Sequence, residues 1–188
     1  MSDVCTFVVC GAPLAVRALD VTSALVRSGW EVRPMLTPAA QPWVDAEGLE
    51  ALTGNPVRVA LRHPDEPKVT PRSTALVVAP LTFNSLTKLA LGIADTQAHS
   101  TLAELLGERV PFVAVPMVNT HLAGHPAFAG HVETLTGAGV RWVNVVDGSA
   151  EPAVLDSDTV GEVVTRFDPA WITGVLTRLG GSGVAERA

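Results

Sequence analysis

The residues best suited to chemistry are small, uncharged and grouped at four points where apolar runs stop. These are Cys10-Gly11-Ala12, Thr37-Pro38, Pro80-Leu81-Thr82-Phe83-Asn84-Ser85 and Pro116-Met117-Val118-Asn119-Thr120. Backbone N–H groups, hydroxyls and amides gathered in this way suit a phosphate and a flat heterocycle, held by hydrogen bonds rather than by charge. A dinucleotide fits less well, because no Gly-x-Gly-x-x-Gly run is present and no acidic residue follows one about 20 positions later. A Walker loop is also missing. His121 and His131 have no acidic or cysteine partner at ligand spacing, so no metal site is predicted. Cys5 and Cys10 lie in one apolar run without a basic neighbour, and buried thiols in that setting stay protonated and behave as small core residues.

Alternating strand-like and helix-like segments must position these groups. Residues 4–10 form a short β-branched run that stops at Gly11, and Pro13 stands where a first helical turn accepts it. The stripe Ala15, Ala18, Leu19, Thr22, Leu25 and Val26 predicts a helix stopped by Gly29. A strand over residues 30–36 and a short helix over 46–53 follow. Pro64, Pro67 and Pro71 make residues 56–71 a loop. Residues 75–79 are the clearest buried strand, closed by Pro80. Two helical stripes come next, Leu86, Leu89, Ala90 and Ile93, then Leu102, Leu105 and Leu106. A strand over 112–115, a helix through Phe128, Val132 and Leu135, and a strand over 140–143 lead to a loop at 144–157. Trp171, Ile172, Val175, Leu176 and Leu179 mark a last helix. The alternation predicts one α/β domain over residues 1–179, a Rossmann-like doubly wound parallel sheet with helices on both faces, and a tail at 180–188. Ligands in such sheets bind beyond the carboxyl ends of the strands.

Composition agrees with this architecture. Apolar residues make up 47% of the chain and charged residues 17%, with a mean hydropathy of +0.32, so much of the surface must be hidden in a covered sheet or a subunit contact. An oligomer is expected. The net charge of -6 offers no footprint for nucleic acid or anionic lipid. No apolar run reaches the roughly 18 residues of a membrane span, and residues 4–16 lack the basic flank of a signal peptide. Cys5 and Cys10 are an odd number of residues apart in one strand, so they face opposite ways and cannot bridge. The chain reads as cytoplasmic.

Several separate blocks carry a family resemblance. Thr37-Pro38-Ala39-Ala40, Leu52-Thr53-Gly54-Asn55-Pro56-Val57, Ala79-Pro80-Leu81-Thr82-Phe83-Asn84-Ser85-Leu86-Thr87-Lys88, Gly92-Ile93-Ala94-Asp95, Pro116-Met117-Val118-Asn119 and His125-Pro126-Ala127 resemble, in order, the homo-oligomeric flavin-containing cysteine decarboxylases. That family includes phosphopantothenoylcysteine decarboxylases and enzymes acting on C-terminal cysteines of peptide antibiotics. The resemblance implies FMN bound between the subunits of a trimer, alone or in a dodecamer of trimers, and a small-molecule or peptidyl thiol substrate. It implies that Gly11 and Ala12 line the phosphate or ribityl region and that Thr37 contacts the ribityl or ring portion. Thr82, Asn84 and Ser85 are implied to cap a helix starting near residue 84 and to bind phosphate, and Asn119 to hold the substrate carboxylate or the developing enethiolate. The implied chemistry oxidises the thiol-bearing carbon to a thioaldehyde, from which carbon dioxide departs and an enethiol remains.

Three departures from the family pattern are visible. Ala12 stands where the family usually has serine. Counting back from Ala79-Pro80 reaches Glu66 where decarboxylating relatives carry a histidine; His63 is the nearest candidate for the acid or base role. No cysteine follows Val143 to match the substrate clamp of phosphopantothenoylcysteine decarboxylases. The alternative reading keeps the fold and FMN but drops the decarboxylation, leaving a redox or regulatory flavoprotein. A prenyl-flavin-forming transferase needs a basic phosphate pocket that a chain with few lysines does not show. Plainer roles stand beside the sharper ones. Thr82, Asn84, Ser85 and Asn119 are all good helix caps. His125 suits a turn before proline or a subunit contact, Lys88 an ion pair, and Asp95 a cap of the next helix. Trp43 lies in a loop-like stretch where it could cover a flavin, and His99 has no assigned role.

Overall fold

The computed structural model describes residues 3–60, 65 and 72–182. In chain order the elements are β1 (Val4–Val9), α1 (Ala18–Arg27), β2 (Glu31–Leu36), α2 (Ala46–Thr53), β3 (Ala75–Leu81), α3 (Phe83–Leu91), α4 (Gln97–Gly107) and β4 (Phe112–Pro116). They continue with β5 (Val118–Asn119), α5 (Thr120–Ala123), α6 (Phe128–Gly137), β6 (Val140–Trp142), β7 (Val154–Leu155), α7 (Val160–Arg166) and α8 (Ala170–Ser182). The main sheet has five strands in the order β2-β1-β3-β4-β6, and every pairing in it is parallel. Strands that pair only in parallel need helices as crossovers, and those helices cover both faces.

Side-chain alternation along the central strands shows both faces buried. Cys5, Phe7 and Val9 of β1, Val77 of β3 and Val113 of β4 join Leu14, Val21, Leu25, Ile172 and Leu176 in one core, under α1 and α8. Val8, Cys10, Leu76, Val78 and Ala114 face the other way, toward Leu86 and Leu89 of α3, Leu102 and Leu105 of α4, and Leu135 of α6. Each strand therefore contributes to two cores at a period of two. The two cysteines sit one in each core, as their odd spacing predicts, and both are free. No helix among the described residues is long and apolar enough to cross a membrane.

Several boundaries differ from the sequence reading, each for a local reason. The first helix opens as a 3-10 turn, Pro13–Arg17, before α1. A second 3-10 turn, Pro38–Trp43, precedes α2, which has the expected residues 46–53. Pro80 does not close β3. It gives up a donor but keeps its carbonyl, which accepts from Cys10 N at 3.2 Å, and the strand runs on to Leu81 after a register shift. The stretch at 144–157 holds a strand: β7 pairs in parallel with β5, and α7 follows it. A two-residue strand carries no periodicity for a sequence to display. α8 continues to Ser182, past the expected boundary at 179. Of the loop expected at 56–71, Met35 bridges Arg58. Pro64, Pro67 and Pro71, with His63 and Glu66, lie outside the described residues.

Burial pushes both thiols up: Cys5 and Cys10 are each 1% exposed or less, and the hydroxyls of Ser85 and Thr82 beside Cys10 offset only part of the effect. Native protein at pH 8 is expected to leave both cysteines unmodified by a chromogenic disulfide reagent, whereas denatured protein reacts at both. Fast reaction of either thiol in the native state would contradict this packing.

Candidate functional site at the diverging strands

At the carboxyl edge of the sheet the chain leaves β1 and β3 in opposite directions. β1 connects to β2 on one side, and β3 connects to β4 on the other. The crevice that such a reversal opens is where open α/β sheets hold their ligands. Here it is a cleft of about 440 Å³. Gly11, Ala12 and Pro13 enter it from the end of β1, Thr82, Phe83 and Asn84 from the end of β3, and Met117, Val118 and Asn119 from the end of β4. Trp43, Leu122, Leu155, Ser157 and Val160 complete its lining, and among the described residues no charged side chain belongs to it.

Its polar edge is the start of α3. Thr82 is the N-cap, with extended backbone, and its Oγ1 accepts from Ser85 N at 3.3 Å. The N–H groups of the first turn have no carbonyl of their own helix to bind, and they carry the positive end of the helix dipole. α3 is seated by Leu86, fully buried, and Leu89 against the sheet. The cap assignment corrects the expectation that Thr82, Asn84 and Ser85 all cap a helix starting near residue 84. The helix starts at Phe83, only Thr82 caps it, Asn84 is exposed on its first turn, and Ser85 turns inward and is 2% exposed. Ser85 does not line the cleft; it stands behind Thr82, their hydroxyl oxygens 3.2 Å apart.

Gly11 is required by close approach. A Cβ built on it would stand 2.7 Å from the carbonyl carbon of Ala39, so any side chain there would push away the turn that carries Trp43. Ala12 is 8% exposed and offers the cleft backbone and a methyl group. Thr37 is buried: its backbone N donates to Val9 O at 3.0 Å and its Oγ1 to the same carbonyl at 3.4 Å. It caps the Pro38–Trp43 turn by position and does not line the cleft. Trp43 is 41% exposed at the rim of the cleft.

Asn119 does two things at once. It ends β5 and is the N-cap of α5, where its Oδ1 accepts from Leu122 N at 2.8 Å. Its Nδ2 has no protein acceptor among the described residues. The capping bond fixes which way the amide faces and leaves a donor for a ligand. β7 pins this turn through the register Asn119↔Leu155. His125 lies in the next turn, exposed, with Nδ1 accepting from Ala127 N at 3.2 Å and its ring 5.6 Å from that of Phe83, which is the pre-proline turn role. No cluster among the described residues could hold a metal ion.

A polar chain behind the cleft was not foreseen. His99 of α4 is 3% exposed, with Nε2 at 3.0 Å from Ser85 Oγ and Nδ1 at 2.8 Å from Thr96 Oγ1 and 3.3 Å from Asp95 Oδ1. Asp95 also accepts from Lys88 Nζ at 2.6 Å, so Lys88 is in the ion pair that its position allowed. Asp95 does not cap α4; Thr96 does. Burial, then the Lys88 charge, hold the imidazole below its ordinary range despite Asp95, and the ring is neutral near pH 7. The Lys88 hydrogen bond holds the Asp95 carboxyl low.

The same architecture occurs in known proteins. The family model described as Flavoprotein matches residues 3–166. A probable phosphopantothenoylcysteine decarboxylase of Streptococcus mutans serotype c is 28% identical over 139 residues, covering 71% of this chain and 77% of that protein. The coenzyme A biosynthesis bifunctional protein CoaBC of Thermococcus kodakarensis is 26% identical over 175 residues, covering 87% of this chain and 42% of its own length, so the chain spans less than half of that relative. Among solved structures, the FMN-dependent cysteine decarboxylase SpaF superposes with a TM-score of 0.65 at 24% identity, over 87% of this chain and 96% of that one, which is agreement in fold. With the family model covering the sheet, α3 and the Asn119 turn alike, the chain belongs to the flavoprotein family.

Proposed function

We propose that the cleft binds FMN and that the protein uses it to decarboxylate an acid carrying a cysteine-derived thiol. The observation that carries this reading is the uncharged cleft at the β1/β3 reversal with the start of α3 opening into it. A helix N-terminus receives a phosphate through backbone N–H groups and its dipole, with no basic side chain needed. Phe83 and Asn84 N–H, the Thr82 hydroxyl and the Asn84 amide would hold the phosphate. Gly11 and Ala12 would adjoin the ribityl chain, and Trp43, Met117 and Leu155 present the apolar surface that a flavin ring needs. The relatives with decarboxylase names support the same reading.

Bound flavin would supply the two-electron oxidation of the thiol-bearing carbon, after which the neighbouring carboxylate can leave as carbon dioxide. The chain itself would bind and orient the acid. Asn119 would donate from Nδ2 to the carboxylate or thiolate, and as a neutral amide it does so without repelling an anion. His63 is kept as the acid–base residue of this proposal, since among the described residues no titratable side chain lines the cleft. Trp43 and Leu122 at the rim are 41% and 43% exposed, apolar surface that a second copy of the chain in a homo-oligomer would cover.

The test is carbon dioxide release from cysteine-terminated peptides and from a phosphopantothenoyl-type thiol acid, followed by mass spectrometry of an enethiol product. Flavin-loaded protein that bleaches with these thiols yet releases no carbon dioxide would instead establish a redox flavoprotein. Asn119→Asp keeps an oxygen for the Leu122 cap but replaces the free donor with a charged acceptor. FMN is expected to stay bound while turnover falls about a hundredfold or more; retained turnover would overturn the role of Asn119. Asn84→Ala leaves the Thr82 cap in place and removes one anion contact, so FMN affinity measured by fluorescence titration is expected to fall about tenfold. Unchanged affinity would remove Asn84 from the site.

A further inference from the structure

Behind Thr82, on the side away from the cleft, runs a chain of hydroxyl and imidazole groups whose polarity has two possible settings. Ser85 Oγ lies 3.0 Å from His99 Nε2 and accepts from Thr82 Oγ1 at 3.2 Å, and Thr82 Oγ1 itself accepts from Ser85 N. Each hydroxyl has one proton, and a neutral imidazole has one. With the proton on Nε2, the ring donates to Ser85, Ser85 donates to Thr82, and the Thr82 proton is left to point into the cleft. Thr96 then donates to Nδ1, 2.8 Å away. With the proton on Nδ1 every bond reverses. Ser85 donates to the ring, Thr82 donates to Ser85, and Thr82 faces the cleft with lone pairs alone; this is the direction of the Thr82–Ser85 bond in the structure, so an anion has to reverse it.

These settings are not equivalent for an anion at the start of α3, which is attracted by the first and repelled by the second. We propose that His99 is a positioning residue: acting through Ser85, its Nε2–H form aims the Thr82 hydroxyl proton into the cleft, and a phosphate bound there selects that form. The inference rests on the placement of a flavin phosphate at α3 in the preceding reading. A protonated ring donates from both nitrogens and keeps the first setting. The charged and titratable groups facing the chain are Lys88 of α3, Asp95 of the α3–α4 connection and the Cys10 thiol at the end of β1. Asp95 lies 3.3 Å from Nδ1 and favours a proton there, so it opposes the first setting in the neutral ring unless an anion occupies the cleft.

The experiment compares FMN with riboflavin, which differ only in the phosphate, on the full chain at neutral pH. Wild type is expected to prefer FMN. His99→Leu is expected to lose about tenfold of FMN affinity while riboflavin affinity holds, and His99→Gln, whose amide N–H can reach Ser85, to recover most of it. Nitrogen-15 resonances of the His99 ring are expected to take the Nε2–H pattern when FMN is added. A folded His99→Leu protein with unchanged preference for FMN, or with equal loss of both ligands, would overturn the proposal. If His99→Leu does not fold, the ring resonances of wild type decide, and an Nδ1–H ring in the FMN complex would overturn it. Equal binding of FMN and riboflavin by wild type is a separate failure, because it removes the phosphate from α3 and takes the His99 role with it.

Discussion

The N–H groups at the start of α3 have no carbonyl partners within their own helix, and much of this molecule is arranged around that deficit. β3 is buried on both faces up to Leu81, and the chain must turn into α3 within one residue, Thr82. The turn places the positive end of the helix dipole at the point where neighbouring connections diverge, so no crossover covers it. Thr82 satisfies one N–H through its own hydroxyl, and Phe83 and Asn84 beside it line the cleft. Among the described residues, no charged side chain lines the cleft to compete for those donors. Gly11 lets the Pro38–Trp43 turn close against the β1 end, and that turn carries Trp43 to the same cleft.

The sheet and its order of elements were legible because they are written in short-range patterns. Residues 75–79 are apolar without interruption, and such a run in a β/α alternation means a strand covered twice. The helix over 46–53 has its expected residues, and the structure shows what fixes its ends: Asp45 caps it through Gly48 N at 2.9 Å, and Gly54 lies in the left-handed region. What escaped was either too short for a period or made by distant pairing. β5 and β7 are two residues each and exist only because each has the other. The difference at Ser85 is a matter of helix face: successive residues of α3 are about 100° apart, so with Leu86 and Leu89 turned to the sheet Ser85 is buried beside them while Asn84 is exposed. Ser85 therefore belongs to the core side of the helix and not to the cleft.

Site residues divide in the same way. Gly11, Ala12, Thr82, Asn84 and Asn119 meet in one cleft, as residues at the ends of adjacent parallel strands must. Thr37 belongs to the supporting turn, and His63 lies outside the described residues. His99 gave no local signal, since its partner Ser85 is 14 residues away on another helix and only the α3–α4 packing brings them together. Buried polar chains of this kind are costly unless each member is paired, and here every member from Lys88 to Thr82 has a partner. The pairing lets a neutral histidine sit beside an otherwise apolar core.

The central claim, that a neutral cleft at the start of α3 grips riboflavin phosphate, is tested most directly by the absorbance spectrum of freshly purified native protein with mass spectrometry of what denaturation releases. The account predicts the visible bands of a protein-bound flavin and release of FMN. Protein that is colourless, and that gains no flavin absorbance after incubation with excess FMN and removal of free ligand, would contradict it.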